Sequence, residues 1–256
     1  MIEIIKVENK DQEREFVMFP FSLYKGCDYW VPPIISEELE SMDKEKNPVF
    51  ENAEAEFYIA KKDGVTVGRI AAMVNWVEIE EQKKNKLRFG WYDTIDDLEV
   101  SKKLLESVIE FGKKRKLEFV DGPVGFSNMD KAGLLIEGYE ELNTMITWYH
   151  YPYQKEHLKK LGFSKLAEWV EYKIKIFSAE DAPEKVKKFS KIIQQRYELK
   201  VLNFKSRKEI IPYVDKMFEL LNVTYSNLQT YVTIKQYQID FYKEKFIKYI
   251  HPDFIK

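Results

Sequence analysis

The sequence predicts an α/β protein with a mixed, mostly antiparallel sheet flanked by helices, followed by a helix-rich tail. Three observations predict it. Ala55–Lys61 and Val65–Val74 are strand-like runs joined by Lys62-Asp63-Gly64, a strong hairpin turn. Leu87–Asn128 reads as strand, acidic turn, long helix, strand and Gly-rich loop, a unit of a size that most often sets its two strands parallel. Beyond Ser178–Glu184 the apolar spacing is helical in three stretches.

Taken in order, Ile2–Val7 has a short strand pattern. Glu13–Tyr24 predicts a helix with Phe16, Phe19 and Leu23 apolar, and Pro20 as a kink or early stop. Asp28–Pro33 is extended by its prolines, with Trp30 docking on the domain. Residues 36–55 are polar and acidic, a connection with Asn47-Pro48 as its turn. Gly68, inside the second hairpin strand, predicts a bulge or a close backbone approach. Residues 78–86 (EIEEQKKNK) predict an exposed charged connection.

Aromatic and apolar residues crowd Leu87–Tyr92, as strands favour. From Val100 the apolar residues Leu104, Leu105, Val108, Ile109 and Phe111 follow one helix face. Asp96, with Glu99 three residues on, predicts a capping-box start, and Lys113–Lys116 suit the negative end of the helix dipole. Glu118–Val120 is the second strand, closed by Gly122-Pro123. Gly122–Glu140 holds four glycines and predicts a long loop. Glycine there either lets backbone amides approach a ligand or only makes turns. Tyr149–Gly162 predicts a helix begun by Pro152 and stopped by Gly162, with His150 and His157 on one face. Phe163–Phe177 alternates as a strand does. The organisation is thus a domain over 1–177, a linker over 178–184, and a helical segment over 185–256. That segment has helices at Lys185–Glu198, Lys208–Leu221 and about Ile234–Tyr249, and a strand at Lys200–Phe204.

With 256 residues, 45% hydrophobic and 33% charged, the chain is expected to fold rather than stay disordered. A net charge of −2 provides no global basic field, which argues against nucleic acid and membrane surfaces as partners. The single cysteine, Cys27, excludes an intrachain disulfide, and with three scattered histidines it leaves no metal site to expect. MIEIIKVENKDQER has no apolar signal core and no run approaches a membrane span, so a cytoplasmic protein is expected. A homo-oligomer is compatible with all of this.

The segments FPFSLYKGCDYWVPP, KNPVFENAE, VGRIAAMVN, RFGWYD, DGPVGFSNMDKAGLLIEGYE and PYQKEHLKKLGF cover about residues 16–177. Together with the element order they resemble the GNAT superfamily of acyl-CoA-dependent N-acetyltransferases, in particular a two-lobed bacterial GNAT-like branch. The resemblance implies acetyl-CoA as donor, a small-molecule or protein amine as acceptor, and a second GNAT-like lobe whose opening residues 185–256 resemble. Two family features are missing from the first domain. The Q/R-x-x-G-x-G/A turn that holds the CoA pyrophosphate is here DTIDDLE, acidic and free of glycine. The general-acid tyrosine, five residues before the Phe of Gly-Phe, is here Leu158. Acetyl-CoA is therefore doubtful for the first domain, and a second lobe is where the glycine turn is expected.

Three functions compete. Acyl transfer from acetyl-CoA to an amine needs a thioester held beside a strand, a base for the amine and an acid for the thiolate. Asp93 is the candidate base; Tyr149 and Tyr151 are candidate acids. Trp91, Tyr92 and Thr94, at the end of the strand before the turn, are the cofactor-binding candidates. Arg69, Ser127 and Asn128 are the ligand-pocket candidates. Each has a plainer reading: a helix-start acid, core aromatics, a surface arginine, loop turns. The second function is a catalytically silent GNAT-like domain that binds a small ligand or a protein partner, and the third is a structural lobe that only packs against a second domain or a twin subunit. The acidic turn separates the first from the others, because fold alone does not.

Overall fold

The computed structural model describes residues 1–175, 178 and 180–255. It divides into two compact units, Met1–Glu168 with Thr224–Thr233, and Trp169–Val223 with Ile234–Lys256. The first unit carries one five-stranded sheet in the order β1 (Ile2–Lys6), β2 (Ala53–Lys62), β3 (Val65–Asn75), β4 (Lys86–Thr94), β5 (Phe119–Asp121). The first four strands pair antiparallel; β4 and β5 pair parallel over Lys86–Arg88 and Phe119–Asp121. The crossover between them is α4 (Leu98–Lys114).

Along β3 the side chains alternate between two buried faces, which is why the strand is a continuous apolar run. Ile70, Ala72 and Val74 pack with Val100, Leu104, Leu105, Val108 and Phe111 of α4. Ala71 and Met73 pack on the other face with Phe16 and Val17 of α1 (Lys10–Leu23) and Met42 of α2 (Ile35–Met42). A Cβ at Gly68 would come within 2.9 Å of the Leu104 side chain, so the glycine marks a close approach of α4.

Several expectations change. The cap of α4 is Asp97, whose side chain accepts from the Glu99 amide; Asp96 points instead to His157. Helix α1 runs through Pro20 to Leu23. The carbonyl of Phe16, four residues earlier, accepts from Arg69 Nη1 at 3.1 Å, so it does not depend on the amide that proline lacks. Residues 36–55 form α2 and the short helix Pro48–Glu51 rather than only a connection. Residues 78–86 are not an exposed connection: one helical turn, α3 (Trp76–Glu80), leads into β4, and Glu78 and Lys86 are buried. His150 precedes α5 (Pro152–Lys160) and shares no helix face with His157.

The second unit is helical. It contains α6 (Glu184–Arg196), most of α7 (Arg207–Tyr225) and α8 (Gln236–Phe246), with a small core of Ile210, Val214, Phe218, Ile234 and Ile239. Neither Lys200–Phe204 nor the described part of Phe163–Phe177 is a strand; Ile176 and Phe177 lie outside the described residues. Alternation supplies a strand's side-chain pattern, but a strand forms only where a neighbour pairs its backbone. No helix among the described residues is long and apolar enough to cross a membrane.

Candidate functional site

Four of the residues that sequence reasoning singled out, Arg69, Asp93, Tyr149 and Tyr151, meet at the C-terminal end of β4. Arg69 of β3 lies opposite Asp93 of β4 in the register, and its Nε donates to Asp93 Oδ2 at 2.8 Å. Tyr24, just past α1, donates to Asp93 Oδ1 at 2.6 Å, and its oxygen lies 3.0 Å from the Tyr149 carbonyl. All three side chains are buried. Burial, and then the Asp93 carboxylate, push the Tyr24 hydroxyl well above its ordinary pKa, so it stays a donor. Tyr149 and Tyr151 pack their rings against Tyr24, at 5.4 and 5.2 Å between centroids, and Tyr153 stacks on Tyr151 at 5.7 Å. Arg69, Asp93, Tyr149 and Tyr151 therefore share one aromatic-walled cluster. Both Asp93 oxygens carry a partner within it.

Trp91, Tyr92 and Thr94 are also beside this cluster, but their polar atoms are engaged inside the protein. The β3–β4 register slips between Arg69 and Ala71, and Trp91 takes φ +47. This bulge breaks the two-residue alternation. Phe89 and Tyr92 consequently face α4, while Trp91 faces Phe57 and Phe126 and donates from Nε1 to Glu38. The Tyr92 hydroxyl, pushed up to about 12 by burial, donates to Ser101 Oγ at 2.8 Å. The Thr94 carbonyl accepts from Tyr153 at 2.7 Å. Ser127 bonds within its own loop, to Asp130 and Met129, and Asn128 Oδ1 accepts from the Val232 amide.

Sequence reasoning missed a polar chain at the start of α4. Ser101 Oγ lies 2.8 Å from His157 Nδ1, and His157 Nε2 lies 3.1 Å from Asp96 Oδ1. These are the residue types of a nucleophilic triad. Here, however, the serine is fully buried, with Tyr92 and Thr94 against its oxygen. The chain ties α5 to the β4–α4 turn. A serine within the first turns of a helix after a buried strand, and a histidine one helix later, were its only signals in the sequence.

The fold resemblance implies an acyl-CoA donor, and the turn and the strand edge do not fit one. The Glu99 amide donates to the Asp97 carboxylate, and the Val100 and Ser101 amides donate to the Asp97 carbonyl. Lys62, 3.0 Å away, holds the Asp97 carboxyl below the usual carboxylate range, so a negative charge already occupies this helix start. Alongside β4, past the three residues paired with β5, the Val124 amide donates to the Phe89 carbonyl at 2.7 Å. A Cβ on Gly90 would sit 2.5 Å from the Val124 carbonyl and 3.0 Å from the Trp148 ring. The chain's own loop fills this side of β4. A Cβ on Gly122 would sit 2.4 Å from the Phe89 carbonyl. Gly122→Ala is accordingly expected to cost about 1–3 kcal/mol, read as a lower urea midpoint with unchanged slope.

No family model matches this chain. It is 26% identical over 249 residues to Protein YghO of Escherichia coli, a match that covers 96% of this chain and 61% of that protein. It is 23% identical over 174 residues to the bacterial ceramide synthase of Caulobacter vibrioides, covering 67% of this chain and 45% of that one. The chain thus spans about half to three-fifths of the length of these relatives. Among solved structures it is similar to a predicted acetyltransferase from Clostridium acetobutylicum with acetyl-CoA, at 12% identity and a TM-score of 0.42, over 68% of this chain and 96% of that one. It is also similar to an acetyltransferase of the GNAT family from Staphylococcus aureus, at 18% identity and a TM-score of 0.35, over 48% and 73%. These likenesses are loose. The strand order, antiparallel through β4 and then parallel across the α4 crossover, is the mixed, mostly antiparallel sheet flanked by helices that the sequence predicts.

Proposed function

We propose that the Met1–Glu168 unit is a GNAT-like module that does not itself hold acyl-CoA, and that it serves a larger N-acyltransferase as a packing or ligand-binding half. The observation that carries this is the start of α4, where the Asp97 carboxylate and carbonyl take the amides a pyrophosphate would need. The acyltransferase part of the proposal draws on the relative named as a ceramide synthase. A ceramide is an amide of a fatty acid with a long-chain amino alcohol, so its synthesis is an acyl transfer to an amine.

A thermal-shift titration of the 256-residue chain with acetyl-CoA and with CoA tests the proposal. No saturable shift is expected up to millimolar ligand. Binding to the folded state would stabilise it by about 2.7 kcal/mol at a hundredfold excess over Kd. A saturable shift of that kind would overturn this reading and favour a second one, acyl transfer on this unit. That reading has support of its own, because Asp93, Tyr149 and Tyr151 are gathered around Tyr24. Asp93 would then be the base and the two tyrosines the acid candidates.

A further inference from the structure

Residues 224–233, from the last residues of α7 to just before α8, belong to the first unit. Asn222 closes this excursion by gripping Ile234 twice, donating to its carbonyl at 3.1 Å and accepting from its amide at 3.0 Å. A compact loop with its ends held together in this way is an Ω-loop in form. Thr230, Tyr231 and Val232, toward its C-terminal end, are buried, and Thr230 takes φ +69. A threonine in that left-handed region is strained, and its surroundings must hold it there.

Two contacts join this loop to the Gly-rich stretch after β5. Arg88 Nη2 donates to the Thr230 carbonyl at 2.7 Å, while Nη1 of the same guanidinium donates to the Gly125 carbonyl at 3.0 Å. Asn128 Oδ1 accepts from the Val232 amide at 3.3 Å. One fully buried arginine therefore holds both loops, and the Asn128 side chain of the Gly-rich loop accepts from the backbone of 224–233.

We propose that residues 224–233 are a latch on the Gly122–Asn128 loop: when the latch leaves its place, the loop that fills the side of β4 is released with it. The physical reason is the shared guanidinium. With the Thr230 carbonyl gone, a buried N–H of Arg88 loses its acceptor, and the guanidinium, still held by Glu78, gains by tilting that N–H toward water, which loosens its bond to Gly125.

Amide hydrogen exchange on the 256-residue chain, comparing wild type with Asn128→Ala, tests the latch. Removing the acceptor of the Val232 amide is expected to raise exchange about tenfold over 229–233. The Val124 and Gly125 amides, which bond Phe89 and Lys131, are expected to rise together with it while β3 amides stay protected. Exchange that rises over 229–233 alone would overturn the proposal. A second variant replaces 224–233 with a Gly/Ser segment of equal length, keeping Asn222 and Ile234. If that chain keeps its protected β3 amides, fast exchange at Val124 and Gly125 supports the latch, and wild-type protection there sinks it. If Asn128→Ala changes nothing at either loop and the replacement chain also keeps Val124 and Gly125 protected, the latch is likewise overturned. If the replacement chain loses β3 protection too, the segment is a general support and the latch is again overturned.

Discussion

An Arg88→Met chain is expected to lose roughly 3–5 kcal/mol of stability, which is a large part of what a domain of this size has. Arg88 is fully buried and grips both oxygens of Glu78, at 2.6 and 2.7 Å. Lys86 completes the group, 3.1 Å from Glu78 and 2.8 Å from Asp121. Every member is buried, so removing the arginine leaves one carboxylate short of a countercharge and two carbonyls, of Gly125 and Thr230, short of a donor. That orphaning, rather than the worth of the pairs themselves, sets the size of the loss. Urea denaturation measures it, and the double variant Glu78→Gln/Arg88→Met is expected to recover part of the loss. A loss below about 1 kcal/mol in the single variant would mean that water reaches the cluster.

The second large effect is a loss of stability in mild acid, through His150. This side chain is buried beside Trp148, and its Nδ1 accepts from the Leu135 amide at 3.3 Å. Burial lowers its pKa from 6.5 to about 4; Arg69 acts in the same direction, and Asp93 and the Tyr92 backbone oppose both. The unfolded chain therefore binds this proton at a higher pH than the folded one. Stability is fully present above the unfolded value, falls as the pH drops from about 6.5 to about 4, and takes no further loss from this group below that. At 1.36 kcal/mol per pKa unit the loss is roughly 3 kcal/mol. Urea midpoints taken in steps across this window measure it. His150→Asn, which retains an acceptor for the Leu135 amide, is expected to flatten the slope there. A slope unchanged by that substitution would assign the acid sensitivity to other groups.

Much of the framework was legible because it follows from local chemistry. The hairpin turn at Asp63-Gly64, the strand-like apolar run of β3 and the one-sided apolar stripe of α4 each state their own structure. The candidates Arg69 and Asp93 were legible as residues but not as a pair, since their contact depends on the β3–β4 register. The charged run at 78–86 misled for a similar reason. Charge predicts exposure only when no partner is near, and the partners of Glu78 and Lys86 are Arg88 and Asp121, supplied by neighbouring strands. The alternation at Trp169–Lys175 misled in the opposite direction, because a pattern of side chains does not bring a neighbouring strand with it.

By itself, then, the sequence determined the sheet with its antiparallel hairpin, the α4 crossover, the order of the elements up to α4 and the acidic character of the turn before α4. All of these come from periodicity, turn residues and charge within a few positions of one another. Only the tertiary structure decided that Asp97 rather than Asp96 caps α4, that Tyr24 and Arg69 share Asp93 between them, and that the loop after β5 fills the side of β4. It also decided that Thr230, 142 residues along the chain, completes the coordination of Arg88. Those arrangements depend on which buried polar groups the folded backbone brings within hydrogen-bonding distance, and burial is what obliges each of them to find a partner.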